Sequence, residues 1–251
     1  MMRNGFRVYD THTHLGTARH SGRSCDVDQM LRHMDRVGAD RSLLIPFPVV
    51  DDHRGAHDQI AAAVRAHPDR FSGAACLYPY MPDQQFRDEV RRCSEELGFR
   101  ALKLQPMYQA LNPVSTKSDF FFAAALEHKL PVVVHTGTGA PFALPSLYIM
   151  VARRFPDLRI ILGHAGGSVY VLETIVAAAV CPNLYIELSS LMPHHITEVL
   201  HHVSPQRLMI GSDLPESLEP EIDKVFSLPL DDAGRRALLW ETASTVFDSG
   251  R

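Results

Sequence analysis

Eight side chains able to bind a cation, move a proton or hold a charge stand where a short apolar run gives way to polar residues. They are His12 and His14 in "VYDTHTHLG", Lys103 and Gln105 in "RALKLQP", His135 in "PVVVHTG", His164 in "RIILGHAG", Glu187 in "LYIELSS" and Asp213 in "RLMIGSD". The chain has 14 histidines. Most, such as His33, His67, His128, His201 and His202, fall in helix-like or loop-like stretches, and the four named here all end apolar runs. A borderline cation such as zinc takes imidazole nitrogen and carboxylate oxygen, and a catalytic site leaves one position open for water or substrate. Residues i and i+2 of a strand share a face, so His12 and His14 point together, with Asp10 behind them as a hydrogen-bonding support. Three imidazoles (His12, His14, His135) and the Asp213 carboxylate around one divalent ion leave a net charge of about +1, electrophilic enough to acidify a bound water.

Those residues can meet only if the apolar runs lie side by side. Eight runs, "FRVYDTH", "RSLLIPFP", "SGAACLYP", "RALKLQP", "PVVVHTG", "RIILGHAG", "LYIELSS" and "RLMIGSD", read as strands buried on both faces of a parallel sheet. Between them, "DVDQMLRHMDRVG", "SDFFFAAALEHKLP", "SLYIMVARRFPD", "SVYVLETIVAAAV", "HITEVLHHV" and "DDAGRRALLWETASTVF" have helical periodicity. Eight alternating units predict an α/β fold, a single-domain (β/α)8 TIM barrel over residues 1–251, whose site lies at the C-terminal ends of the strands. An open dinucleotide-binding sheet fits less well, because no G-x-G-x-x-G follows the first strand.

The set "DTHTH", "VVVHTG", "ILGHAGG" and "IGSDLP", in this order, resembles the amidohydrolase superfamily, and most closely its amidohydrolase-2 branch of TIM-barrel metal-dependent hydrolases and decarboxylases. The likeness runs from residue 10 to the last helix, where this chain has Glu241–Ser244 in place of the family's usual Asn-Ala. It implies that His12, His14, His135 and Asp213 are metal ligands and that Asp213 also handles the water proton. His164 is implied as a second-metal ligand or as the acid/base. Related binuclear enzymes carry a carbamylated lysine at the end of the fourth strand, where this chain has Lys103. A one-metal site, most simply one Zn2+, is the expected arrangement. In a two-metal site His164 and Lys103 would join the ligands.

The expected activity is hydrolysis of a small amide, ester or lactone by a metal-activated water, with His164 and Asp213 catalytic. Its rival is a non-oxidative decarboxylase, a lyase acting on a small unsaturated or aromatic acid. A non-catalytic metal- or ligand-binding barrel is the third reading. Lys103, Gln105 and Glu187 are the expected substrate-binding residues. Glu187 would either accept from a substrate hydroxyl or balance Lys103, and Phe47, Met107, Phe142 and the tyrosines Tyr78, Tyr80 and Tyr108 are candidates for the pocket wall.

Composition narrows the partners. With 251 residues, 45% hydrophobic and 22% charged, the chain is ordinary globular protein. A net charge of −4 and scattered basic pairs do not suit nucleic acid. The most apolar helix, near "VLETIVAAAVC", is too short for a bilayer. Four cysteines without C-x-x-C spacing and an N-terminus without an apolar leader point to the cytoplasm. The expected partner is a small-molecule substrate, and the oligomeric state stays open.

Overall fold

The computed structural model describes residues 2–248. All eight expected runs form strands, paired in parallel in chain order: β1 (Tyr9–Thr17), β2 (Arg41–Pro46), β3 (Phe71–Cys76), β4 (Ala101–Leu104), β5 (Val132–His135), β6 (Ile160–Gly163), β7 (Leu184–Glu187) and β8 (Leu208–Met209). The sheet closes just past the end of β8. Thr11 N–H donates to the Ile210 carbonyl at 3.0 Å, and the Ser212 and Asp213 N–H groups donate to His12 O at 3.1 and 2.6 Å. The result is the TIM barrel that the alternation predicts, described over 2–248 of the expected 1–251; residues 1 and 249–251 lie outside the described residues. A two-residue strand, Ser24–Cys25, folds back antiparallel on Gly16–Thr17 and extends β1 into a flap that the apolar pattern does not announce.

The helices follow local rules. α1 (Val27–Val37) opens on a capping box between Asp26 and Gln29 and stops at Gly38, whose φ of 77° is the left-handed turn glycine supplies cheaply. α2 (His53–Ala66), α3 (Asp83–Arg91), α4 (Asp119–Glu127), α5 (Tyr148–Arg154), α6 (Gly167–Val180), α7 (Pro193–His202) and α8 (Leu218–Ser227) surround the barrel. None of the described helices is long and apolar enough to cross a membrane.

Inside the barrel, Tyr9, Leu43, Ile45, Ala74, Ala101, Val133, Ile161 and Met209 form one apolar cluster, closed at the N-terminal end by Trp240, Val246 and Phe247. Because strand side chains alternate, the next inward layer lies two residues further along. Ala101 leads to Lys103, Val133 to His135 and Tyr185 to Glu187. Ile161 leads to Gly163 and Met209 to Gly211, and here glycine is required for space. A Cβ on Gly163 would lie 2.8 Å from Val134 O and 3.2 Å from the His12 ring; one on Gly211 would lie 2.6 Å from His12 Cβ and 2.7 Å from Glu187 Oε1. Two strands give up their side chains so that β1 and β7 can fill the centre.

β1 departs from strict alternation. Tyr9 faces the interior layer and His12, three residues on, reaches the mouth; the pairing with β2 shifts register between Asp10 and Thr13. Asp10 is thereby turned to Ser212, accepting from its N–H at 2.9 Å and its hydroxyl at 2.7 Å, and from His12 N–H at 3.3 Å. Burial pushes the Asp10 carboxyl up to about 7, although those hydrogen bonds favour the anion. A carboxyl whose folded pKa exceeds its unfolded one loses stability as pH rises between the two values. Asp10→Asn keeps the shape without the charge. Its stability relative to wild type should therefore improve as pH rises from about 4 to about 7, read by urea denaturation. Asp10→Ala strands the donors at the barrel seam and should cost about 2 kcal/mol or more at any pH.

Candidate active site

Three imidazole nitrogens converge on one carboxylate oxygen. Asp213 Oδ1 lies 3.7 Å from His12 Nε2, 3.5 Å from His14 Nε2 and 3.8 Å from His164 Nε2. Two ligands of one tetrahedral ion at about 2.1 Å each stand about 3.4 Å apart, so this spacing suits a shared cation. His164 and Asp213 are placed by backbone that non-glycine residues rarely adopt, with φ of 63° and 61°. Both turn the chain sharply out of a strand end and into the mouth.

The ring orientations are fixed from behind. His12 Nδ1–H donates to Glu187 Oε2 at 2.9 Å, His14 Nδ1–H to Pro46 O at 3.2 Å and His164 Nδ1–H to Ser189 Oγ at 2.6 Å. Each ring therefore presents an unprotonated Nε2 to the centre, the arrangement in which a histidine ligand is held by its far nitrogen, and that of His12 also accepts from Lys103 Nζ at 2.6 Å. Burial drives His12 and His164 well below the ordinary imidazole range and keeps them neutral. Burial alone would raise the Asp213 carboxyl, but its contact with His14 outweighs that and holds it well below the usual carboxylate range.

Glu187 sits differently from its expected place at the substrate. It is fully buried, and its two oxygens take four protein donors: His12 Nδ1–H, His164 N–H at 3.1 Å, Ser189 N–H at 2.5 Å and Ser189 Oγ–H at 3.0 Å. Three of these donors meet Oε2 and one meets Oε1. It is too deeply buried to meet a substrate hydroxyl, and its charge is among those that oppose the lowering of the Lys103 amine. Ser189, which sequence reasoning missed, is two residues beyond Glu187, the spacing that could have pointed to it.

Lys103 is fully buried, its Nζ 2.6 Å from His12 Nε2, so its ammonium is the positive charge to which the cluster turns. Burial pulls it down to about 8, with Asp213 opposing. An amine whose folded pKa is lowered carries its cost in full below that pKa and sheds it as pH rises towards the unfolded value. Lys103→Met should therefore stabilise the metal-free protein near neutral pH by on the order of 3 kcal/mol and abolish activity. Thermal unfolding should show the advantage shrinking between about pH 8 and 10.5.

His135 stands beside His164, ring centroids 4.8 Å apart, but its Nε2–H donates to Thr138 O at 2.8 Å. Its Nδ1 is left as a buried lone pair without a partner, and burial with the nearby Lys103 lowers the ring to about 4. It is the one expected ligand that does not share the close group of His12, His14 and Asp213. Gln105 is nearly buried with Oε1 unpaired.

A cavity of about 240 Å³ opens above Asp213, lined by His14, Gln105 and His135 below and by His20, Arg23, Phe47, Met107 and Tyr108 around the rim. Phe47 stacks on His14 at 4.9 Å, and His20 of the flap meets Tyr108 at 4.7 Å. Arg19–Asp51 and Arg23–Glu216 ion pairs tie the flap to the loops after β2 and β8. Of the expected wall residues, Phe47, Met107 and Tyr108 line this cavity, and Tyr78 lines a neighbouring one.

A second buried group of metal-ligand types, His57, Glu89 and Cys93, has other work. His57 Nε2 accepts from Cys76 N–H at 3.0 Å, its Nδ1–H donates to Glu89 at 2.8 Å, and Arg92 grips the same carboxylate at 2.7 and 2.8 Å. The guanidinium would repel a cation, and the Cys76 N–H fixes the tautomer that leaves no lone pair on Nδ1. The network joins α2 and α3 to the end of β3, next to Lys103.

The fold is shared with solved enzymes of three chemistries. 5-Carboxyvanillate decarboxylase from Novosphingobium aromaticivorans, with bound manganese, is 17% identical with a TM-score of 0.78 over 99% of this chain and 100% of that one. 4-Oxalomesaconate hydratase from Rhodopseudomonas palustris is 15% identical with a TM-score of 0.73 over 96% and 95%. A probable 2-pyrone-4,6-dicarboxylic acid hydrolase from Acinetobacter baumannii, with citric acid bound, is 14% identical with a TM-score of 0.70 over 96% and 99%. At such identities the likeness speaks for the barrel alone. The family model described as Amidohydrolase matches residues 9–248, nearly the whole chain, and this protein therefore belongs to the amidohydrolase-2 family.

Proposed function

We propose that the chain, a single domain, is a divalent-metal-dependent hydrolase of a small amide, ester or lactone. The observation that carries this reading is the convergence of three unprotonated Nε2 atoms within 3.5 to 3.8 Å of Asp213 Oδ1. The donor set fits one borderline ion such as Zn2+, held by His12, His14 and Asp213, with the orphaned Nδ1 of His135 as a further donor. When bound, the ion supplies Lewis acidity, polarising a carbonyl and making water a stronger acid. His164 is the proton carrier. Its Nδ1–H is spent on Ser189, which passes the interaction to Glu187, so Nε2 can take a proton from attacking water and return it to the leaving group. The unpaired amide oxygen of Gln105 is the polar group for the substrate inside a rim of Phe47, Met107 and Tyr108, and the Lys103 ammonium lies buried behind the cluster.

The buried Lys103 cation beside the cluster also suits a substrate carboxylate, and that favours decarboxylation as the second reading. There the carbon–carboxylate bond breaks, CO2 leaves, and a proton that His164 Nε2 has first taken up from solvent takes its place on carbon. Metal-loaded protein assayed for CO2 release from small unsaturated acids, and in parallel for ester, lactone and amide cleavage, separates the two. Cleavage without CO2 supports the hydrolase; CO2 release alone overturns it in favour of the lyase. Four buried free cysteines fit a reducing compartment, so we place the protein in the cytoplasm.

A further inference from the structure

Helix α6 follows directly from the His164 turn and is apolar on both sides. Val171, Thr174, Ile175, Ala177 and Ala178 are buried against the barrel. The opposite side exposes Val169 (81%), Leu172 (65%), Val176 (56%) and Val180 (47%). A helix apolar all round is a buried helix, and this one is covered on one side only. Its single charged residue, Glu173, is engaged with Ser146, whose N–H and hydroxyl donate to it at 3.3 and 2.6 Å. The exposed face therefore carries no charge.

We propose that α6 is the centre of a homodimer interface in which two copies of the helix pack antiparallel across a two-fold axis. The spacing of the stripe supports a second copy as the occupant. Leu172, Val176 and Val180 lie on the continuous helix and Val169 just before its kink at Tyr170, so a two-fold axis near Thr174 sets Leu172 against the second copy's Val176, with Val169 and Val180 at the ends of the stripe. A symmetric dimer needs this kind of self-complementary patch. The area also fits. The four side chains offer on the order of 400 Å² per copy, the size at which an apolar patch marks an interaction site, and about half of one partner's share in a standard interface. Met150 on α5 and Met192 at the start of α7, 48% and 55% exposed, belong to the elements on either side and extend the patch. A charged partner finds no counter-charge here, and a helix lying on a membrane surface would carry lysine or arginine along its polar edge.

Sedimentation velocity at tens of micromolar should give the wild type twice its 28.0 kDa chain mass. Leu172→Glu and Val176→Lys should each sediment as monomers with unchanged far-UV circular dichroism, and Val169→Asp, at the most exposed position, repeats the test should either misfold. An equimolar mixture of the Leu172→Glu and Val176→Lys chains should recover the dimer, since those positions face each other. A monomeric wild type, or variants that remain dimeric, would overturn the proposal, and a mixture that stays monomeric would overturn the antiparallel register. A monomer that floats with phosphatidylcholine vesicles, and ceases to when Val176→Lys is introduced, would give the face to a membrane instead.

Discussion

Glu187→Ala should be the most destabilising single substitution at the mouth of the barrel. It orphans four buried donors at once: the His12 ring, the backbone N–H groups of His164 and Ser189, and the Ser189 hydroxyl. Each stranded donor costs about 1–3 kcal/mol, so a total loss of about 4 kcal/mol or more is expected against a typical stability of 5–15 kcal/mol. Metal affinity should fall as well, by roughly 10- to 100-fold, because the His12 ring loses the group that fixes its tautomer. Glu187→Gln is the informative control. Its amide oxygen can serve the three donors that Oε2 serves now, leaving only the amide nitrogen opposed to Ser189 N–H. It should cost about 1–3 kcal/mol in urea denaturation of the metal-free protein. An alanine variant within 1 kcal/mol of wild type would mean that these hydrogen bonds do not hold the site together.

His164→Asn has the opposite profile. His164 lies within reach of the cluster, but its role in the proposal is to carry a proton, for which about 10²- to 10⁴-fold in turnover is the ordinary contribution. The variant should lose that much in kcat on any substrate that the cleavage and CO2 assays identify. Its metal content after dialysis should stay near that of wild type. Asparagine can still donate to Ser189, so stability should change little. If the variant instead loses its metal, His164 is a ligand, and the group of His12, His164 and Glu187 becomes part of a second cation position.

Much of this site could be read in the residue order. Each of the eight barrel strands was signalled by a short apolar run, and the polar residues that end those runs included Lys103 and His135. The helical run "DVDQMLRHMDRVG" ends at Gly38, where α1 stops. The losses have physical causes. The register shift in β1 places Tyr9 and His12 on the same side of the strand and sends Asp10 to the barrel seam, and no one-dimensional pattern shows a bulge. Glu187 looked like a substrate ligand because it ends a strand, but only three dimensions reveal that four donors from three residues surround it. Gly163 and Gly211 would have been legible from their inward positions, had the question been which strand must give way to the His12 ring. The ring tautomers were out of reach altogether, because they depend on partners such as Pro46 O and Ser189 Oγ that come from other parts of the chain.

Metal content tests the central claim most directly. Protein purified without chelator, loaded with Zn2+ or Mn2+ in bicarbonate buffer and dialysed, should retain one equivalent by inductively coupled plasma mass spectrometry. His14→Ala and Asp213→Ala should retain almost none while remaining folded by circular dichroism. Two equivalents bound together with activity would contradict the one-ion site and bring Lys103 and His164 in as ligands. A wild type that retains no metal, or variants that retain it fully, would contradict the cluster of His12, His14 and Asp213 as a metal centre.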